Sequence, residues 1–207
     1  MSSTNRGTRG GNGHDQFPTP AWCVHRLLEA IELPGSNWLE PCAGAGAIIK
    51  AVNEKRNGVH WYAWDIDGKY RDSLVWSIGT DRVQIGDALK LSIPPSTHTI
   101  LTNPPFFISH LLAEHFLASS KALVVFLQRL NWCAGPRAAM FRGQRPSVYV
   151  LPDRPSFTPD GKTDSIEFAW FVFDGAGDFQ VLESTPLEIR SAAKRELKES
   201  HLMAGLQ

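Results

Sequence analysis

A doubly wound α/β fold is what this sequence predicts: a mainly parallel sheet with helices on both faces, finishing in an antiparallel hairpin. Three observations predict it. Short apolar runs alternate along the chain with stretches of helical period. One of these runs, Ala122 to Leu127 (ALVVFL), is continuously apolar, as expected of a central parallel strand covered on both faces. The last two runs, Ser147 to Leu151 (SVYVL) and Ile166 to Phe173 (IEFAWFVF), follow one another across a polar, turn-rich loop and read as a hairpin.

The chain has 207 residues, enough for one α/β domain with a sizeable core. Three parts are expected: a disordered tail over 1–14, a single domain over 15–180 and a helical extension over 181–207. Lysine plus arginine and aspartate plus glutamate both total 21, so no global field attracts a polyanion. Nucleic-acid contact would have to come from local basic patches. The polar start has no signal-peptide pattern and no apolar run nears ~18 residues, which points to a soluble cytoplasmic protein. Cys23, Cys42 and Cys133 are odd in number and widely spaced, against a disulfide framework or a metal site.

The first 14 residues are rich in Gly, Ser and Arg and cannot build a core; a phosphate-contacting arm through Arg6 and Arg9 is the minor alternative. Phe17-Pro18-Thr19-Pro20 leads into a helix, with Thr19 as N-cap, Pro20 as first helical residue, and Val24, Leu27, Leu28 and Ile31 on one face. Asn37 to Glu40 is a short strand running into the glycine-rich turn Pro41-Cys42-Ala43-Gly44-Ala45-Gly46 and a helix start. Such a turn permits left-handed backbone and close approach of a ligand. Trp61 to Trp64 is a second strand ending in Asp65, which lies 19 residues after Gly46. That is near the spacing at which an acid meets the ribose of a bound nucleotide. A helix over Gly68–Ile78 and a third strand, Arg82 to Ile85, lead to Asp87, placed either to accept an adenine amine or to cap a turn.

The fourth strand, Thr97 to Thr102, delivers Asn103-Pro104-Pro105-Phe106. Residues before proline are pushed out of the α region, so Asn103 and Pro104 are expected to be extended. Proline has no N–H to donate, and the carbonyls of Asn103 and Pro104 remain acceptors. An amide oxygen, a carbonyl and an aromatic face presented together suit a planar ring carrying an amino group. By chance, this tetrapeptide should occur in such a chain on the order of once in a thousand. A helix over Ile108–Ser119 should turn Leu111, Leu112, His115 and Phe116 inward, with His115 packed rather than catalytic. From Gln128 to Pro146 the texture changes. Arg129, Arg137, Arg142 and Arg145 interleave with Trp132 and Phe141, a pattern that fits either nucleic-acid contact or a solvated connection. Pro186 onward reads as a terminal helix.

All the chemistry-bearing residues fall at strand carboxyl ends, where an α/β sheet binds ligands. The series FPTP, LEPCAGAGA, AWDID, GDAL and TNPPF resembles the class I S-adenosylmethionine-dependent methyltransferases, specifically those acting on adenine N6. The motif order is similar to the gamma arrangement, and RPSFTPDGKTDSIEFAWFVF resembles strands six and seven of small phage-type DNA adenine enzymes. The resemblance spans about 15–175. It implies a seven-stranded, Rossmann-like sheet, S-adenosylmethionine as cofactor and DNA as partner, with no metal and no membrane, in a bacterial or phage-infected cell. By position, Phe17, Thr19 and Pro20 would hold the methionine end of the cofactor, and Glu40, Gly44 and Gly46 its turn. Asp65 would take the ribose and Asp87 the adenine amine. Asn103, Pro104, Pro105 and Phe106 would form the catalytic pocket, with Asn103 adjoining the cofactor as well. Arg129, Trp132, Arg137, Arg142, Arg145 and Arg154 would meet nucleic acid.

Two features depart from the family pattern. Glu40-Pro41 stands where Asp-Pro is commoner, and no separate target-recognition domain is evident, against a long recognition sequence. RNA adenine or guanine-N2 enzymes resemble the same motif, as do protein glutamine methyltransferases, which usually carry Tyr where Phe106 stands. A nicotinamide-dependent oxidoreductase would need glycine at Ile49. A non-catalytic binding module is the remaining alternative.

Overall fold

The computed structural model describes residues 18–133, 141, 143–157, 163, 165–177 and 179–181. The tail, Phe17, Arg137, Arg142 and the C-terminal extension beyond 181 lie outside the described residues.

Each predicted strand from Asn37 onward forms: β1 (Asn37–Glu40), β2 (His60–Asp65), β3 (Val83–Ile85), β4 (Thr99–Thr102), β5 (Leu123–Arg129), β6 (Ser147–Val150) and β7 (Phe168–Val172). An eighth, β8 (Phe179–Val181), was not legible, since three residues carry no period. The strand order is β3-β2-β1-β4-β5-β7-β6-β8. Strands β1 to β5 are mutually parallel, and β7 runs antiparallel between β5 and β6 as the expected hairpin. The sheet is thus the expected seven strands with β8 added parallel to β6.

Four α-helices connect them among the described residues: α1 (Ala21–Ala30), α2 (Ala47–Asn53), α3 (Arg71–Ile78) and α4 (Ser109–Ser119). Side-chain alternation along the strands divides the core into two layers. Trp38, Trp61, Leu101, Val125 and Trp170 pack against Trp22, Val24 and Leu27 of α1, Ile48 and Ile49 of α2 and Leu74 of α3. Their neighbours Leu39, Trp64, Ile100, Val124 and Phe171 pack against Leu112 and Phe116 of α4 on the other face. This is why β4 and β5 read as unbroken apolar runs: both faces of each are covered.

Two local expectations fail. Leu111 is 44% exposed rather than inward, while Ala113 takes the buried position. At the start of α1, Pro20 occupies the cap position and no side chain caps the helix. The hydroxyl of Thr19 is engaged elsewhere.

Candidate nucleotide and amine site

The sheet order reverses between β1 and β4, so their connections leave in opposite directions, which is the position at the carboxyl rim where α/β sheets take ligands in a crevice. Glu40, Asp65, Asn103 and Arg129 each end or directly follow a strand on this rim, and Asp87 lies two residues past β3.

The glycine turn closes under Asp65. Asp65 Oδ2 accepts the Gly44 N–H at 2.7 Å and Oδ1 accepts the Asp67 N–H at 2.8 Å. The Ala43 N–H adds a bond to the Trp64 carbonyl at 2.8 Å. Gly44 and Gly46 have φ of +51° and +82°, a region that strains any residue with a Cβ. A Cβ at Gly44 would meet no other atom within 4 Å, so the turn leaves its backbone open to close approach.

Glu40 lies beneath, 2% exposed, with no hydrogen bond to Oε2 among the described residues. Burial, and then the charge of Asp65, hold its carboxyl well above the ordinary range, against the lowering effect of the Ile49 N–H. The Cys42 thiol is pushed up for the same reasons, by burial first and then by Asp65, Glu40 and Asp87. These shifts report burial first and the neighbouring carboxylates second. Asp87 does cap its turn, Oδ1 accepting the Leu89 N–H at 3.0 Å, and Oδ2 lies 3.5 Å from the Lys90 ammonium.

On the other side of the crevice, Asn103 Nδ2 donates to Thr19 Oγ1 at 3.1 Å across 84 residues of sequence. That contact replaces the expected helix cap and leaves Asn103 Oδ1 without a partner among the described residues. The Pro104 carbonyl accepts from Gln128 Nε2 at 3.3 Å. The Phe106 ring lies 5.8 Å from Phe168, and the Arg129 guanidinium stands 4.5 Å over it.

The expected basic and aromatic surface is only partly at this rim. Arg129 and Arg154 are there, Arg154 hydrogen-bonding Glu167 through Nε at 3.0 Å and Nη2 at 2.5 Å. Arg145 is not. It precedes β6, whose first residue pairs with Val172, whereas the rim end of β7 is Phe168, paired with Arg129. At ~3.3 Å per residue, the length of the strand separates it from the amine site. Trp132 is also removed from the surface: it is 3% exposed, stacked on Phe126 at 6.0 Å and edge-on to Phe171 at 5.1 Å. An interleaved Trp met the requirement for a core knob as well as for base stacking, and core packing took it.

No protein-family model matches the chain, and no curated protein matches it. Solved structures do. A modification subunit assigned to a type I restriction enzyme from Vibrio vulnificus superposes with a TM-score of 0.55 at 14% identity, over 82% of this chain and 46% of that one. A dimethyladenosine transferase from Plasmodium falciparum gives 0.55 at 13%, over 79% and 65%. The 23S rRNA methyltransferase ErmE gives 0.55 at 12%, over 91% and 78%. The fold is that of the class I methyltransferases. The chain spans less than half the length of the Vibrio subunit.

Within this methyltransferase fold, the expected residues Thr19, Pro20, Glu40, Gly44, Gly46, Asp65, Asp87, Asn103, Pro104, Pro105 and Phe106 all lie among the described residues, on or next to the carboxyl rim. Gln128, which donates to the Pro104 carbonyl, is not among the expected residues. Its signal was available: a glutamine directly after ALVVFL is a polar break in an otherwise apolar strand. Among the described residues no cluster of His, Cys, Asp or Glu could hold a metal ion, and no helix is long and apolar enough to cross a membrane.

Proposed function

We propose that this chain is an S-adenosylmethionine-dependent methyltransferase acting on the N6 exocyclic amine of adenine in DNA. The observation that carries the proposal is the pair of acceptors after β4, Asn103 Oδ1 and the Pro104 carbonyl, held beside a glycine turn in a methyltransferase fold.

The residues present fit the cofactor. Its sulfonium and ammonium are cationic, and the pocket contributes Glu40 with an unpartnered carboxylate oxygen, together with Asp65 and Asp87. Bare backbone at Gly44 admits a ligand closely. Asp65 would take the ribose, Asp87 the adenine amine, and the segment through Phe17, Thr19 and Pro20 the methionine end. When bound, the cofactor supplies an electrophilic methyl group on sulfur.

The protein's task is to make a poor nucleophile reactive. The lone pair of an aromatic amine is delocalised into the ring. Asn103 Oδ1 and the Pro104 carbonyl, each accepting one N–H, favour a pyramidal nitrogen whose lone pair points toward the methyl. Fixed in-line geometry then lowers the barrier without a strong base, and the proton leaves after transfer. The base must leave the duplex to reach the pocket, and stacking on Phe106 offsets part of the few kcal/mol of unstacking. Arg129 and Arg154 stand at the same rim to meet the backbone.

The motif order and the Vibrio modification subunit support DNA. RNA is the second reading, because ErmE, by its name a 23S rRNA enzyme, superposes with the same TM-score. The test is transfer from labelled S-adenosylmethionine to unmethylated DNA and, in parallel, to total RNA, with products digested and identified by mass. N6-methyladenine from DNA is expected. Asn103→Ala should lower the rate by ~100-fold or more while cofactor affinity persists. Label in RNA alone moves the substrate; label in neither removes the proposal.

A further inference from the structure

We propose that Gln128 is a positioning residue for the amine site: its side-chain amide fixes the Pro104 carbonyl in the orientation that receives the substrate N–H. The inference rests on the amine-methylation reading above.

Gln128 sits where burial argues against it. The preceding residues Val124, Val125, Phe126 and Leu127 are fully buried and apolar, and Gln128 itself is 1% exposed. A buried amide is tolerated only when hydrogen-bonded. Its Nε2 reaches the Pro104 carbonyl, 24 residues away, at 3.3 Å. The loop leaves that carbonyl to it: the Ile108 N–H goes to the Pro105 carbonyl and the Ser109 hydroxyl to that of Phe106. Pro105 has no N–H with which to stabilise the turn locally.

The consequence is a reference to the sheet. Gln128 belongs to β5, hydrogen-bonded to β4 on one side and β7 on the other. A donor there ties a loop carbonyl to a strand paired on both sides. One of the carbonyl's two lone pairs is thereby used and one is left for the substrate. Thr19 completes the arrangement by holding Asn103 Nδ2, so that Oδ1 is the free end. Gln128 touches no reacting atom; it acts through Pro104.

The experiment compares wild type, Gln128→Met and Gln128→Glu in the transfer assay across pH. Methionine keeps the length and lacks a donor. Its kcat should fall about ten- to a hundred-fold, with cofactor affinity and the KM for nucleic acid held within about twofold. Glutamic acid can donate to a carbonyl only when protonated, so Gln128→Glu should gain activity relative to wild type as pH falls. This second variant decides the matter if the first fails to fold. A wild-type kcat in Gln128→Met overturns the proposal, as does wild-type activity in Gln128→Glu above the pH at which its buried carboxyl ionises. Wild type inactive on both DNA and RNA removes the underlying reading, and the positioning role with it.

Discussion

The two halves of the carboxyl rim are built from opposite materials. At or just past the ends of β1, β2 and β3 stand Glu40, Asp65, Asp67 and Asp87; at or just past the ends of β4, β5 and β6 stand Asn103, Gln128, Arg129 and Arg154. Lysines meet two of the four acids, Lys69 at 2.9 Å from Asp67 and Lys90 at 3.5 Å from Asp87. Glu40 and Asp65, the two most buried, have no such partner among the described residues. The second half is mixed rather than basic, since Asp153 adjoins Arg154 and Glu167 pairs with it, so the contrast is between buried, unpaired acids on one side and amides with paired charge on the other. The acidic half suits a small cation and the amide-and-arginine half suits a polyanion, with the glycine turn and the Asn-Pro-Pro-Phe loop meeting where strand order reverses.

Breaking the acidic half should cost most at Asp65, because both of its oxygens are committed. Asp65→Asn turns one acceptor into a donor that faces a backbone N–H, at either Gly44 or Asp67. The expected loss is ~2–3 kcal/mol of stability, read by denaturant unfolding, since bonds to a charged group are the strong ones. Cofactor affinity should fall with it, because the turn is no longer tied down.

Glu40, its neighbour, should behave in the opposite sense. Its carboxyl is buried, its Oε2 is unpartnered, and its protonation is favoured in the folded state. The sign follows from linkage: an acid raised above its unfolded value of ~4.3 costs nothing at lower pH and destabilises increasingly as pH rises above that value. Glu40→Gln should therefore match wild type near pH 4 and be the more stable protein at pH 7 to 8, measured as Tm against pH. If the carboxylate serves a cationic cofactor, wild-type affinity should rise with pH and the variant's should not. A smaller Tm for Glu40→Gln at pH 8 would mean that the carboxylate is held by something other than this pocket.

The fold was legible because burial writes period directly into sequence: Ala122 to Leu127 had to be central, and Ser147 to Leu151 with Ile166 to Phe173 had to pair. The rim was legible because Asn-Pro-Pro-Phe and the glycine turn are local in the chain. What escaped was everything made by residues distant in sequence. The Thr19 hydroxyl could cap a helix or lock an amide, and only the fold chooses. The Trp132 ring could stack on a base or fill a core. Arg145 could stand at either end of its strand. Gln128 shows in the sequence as a polar break after an apolar run, but its partner emerges only when β5 is placed beside the loop after β4.

The smallest effect should come from the outermost basic residue. Arg154 and Glu167 are about half-exposed, with side-chain exposures of 45% and 48%, and such pairs contribute little. Arg154 holds the Glu167 carboxyl below its ordinary range, so any contribution is present at neutral pH and is lost as pH falls through the lowered value. Arg154→Ala should leave Tm at pH 7 unchanged within error. Its effect on nucleic-acid affinity is the sharper question, because Glu167 competes with phosphate for the same guanidinium. If Arg154 contacts the backbone, Arg154→Ala should reduce the slope of log K against log salt by about 1, and Glu167→Gln should strengthen binding by releasing the arginine. Unchanged slopes in both variants would confine Arg154 to its pair with Glu167 and leave Arg129 as the basic contact of this half of the rim among the described residues.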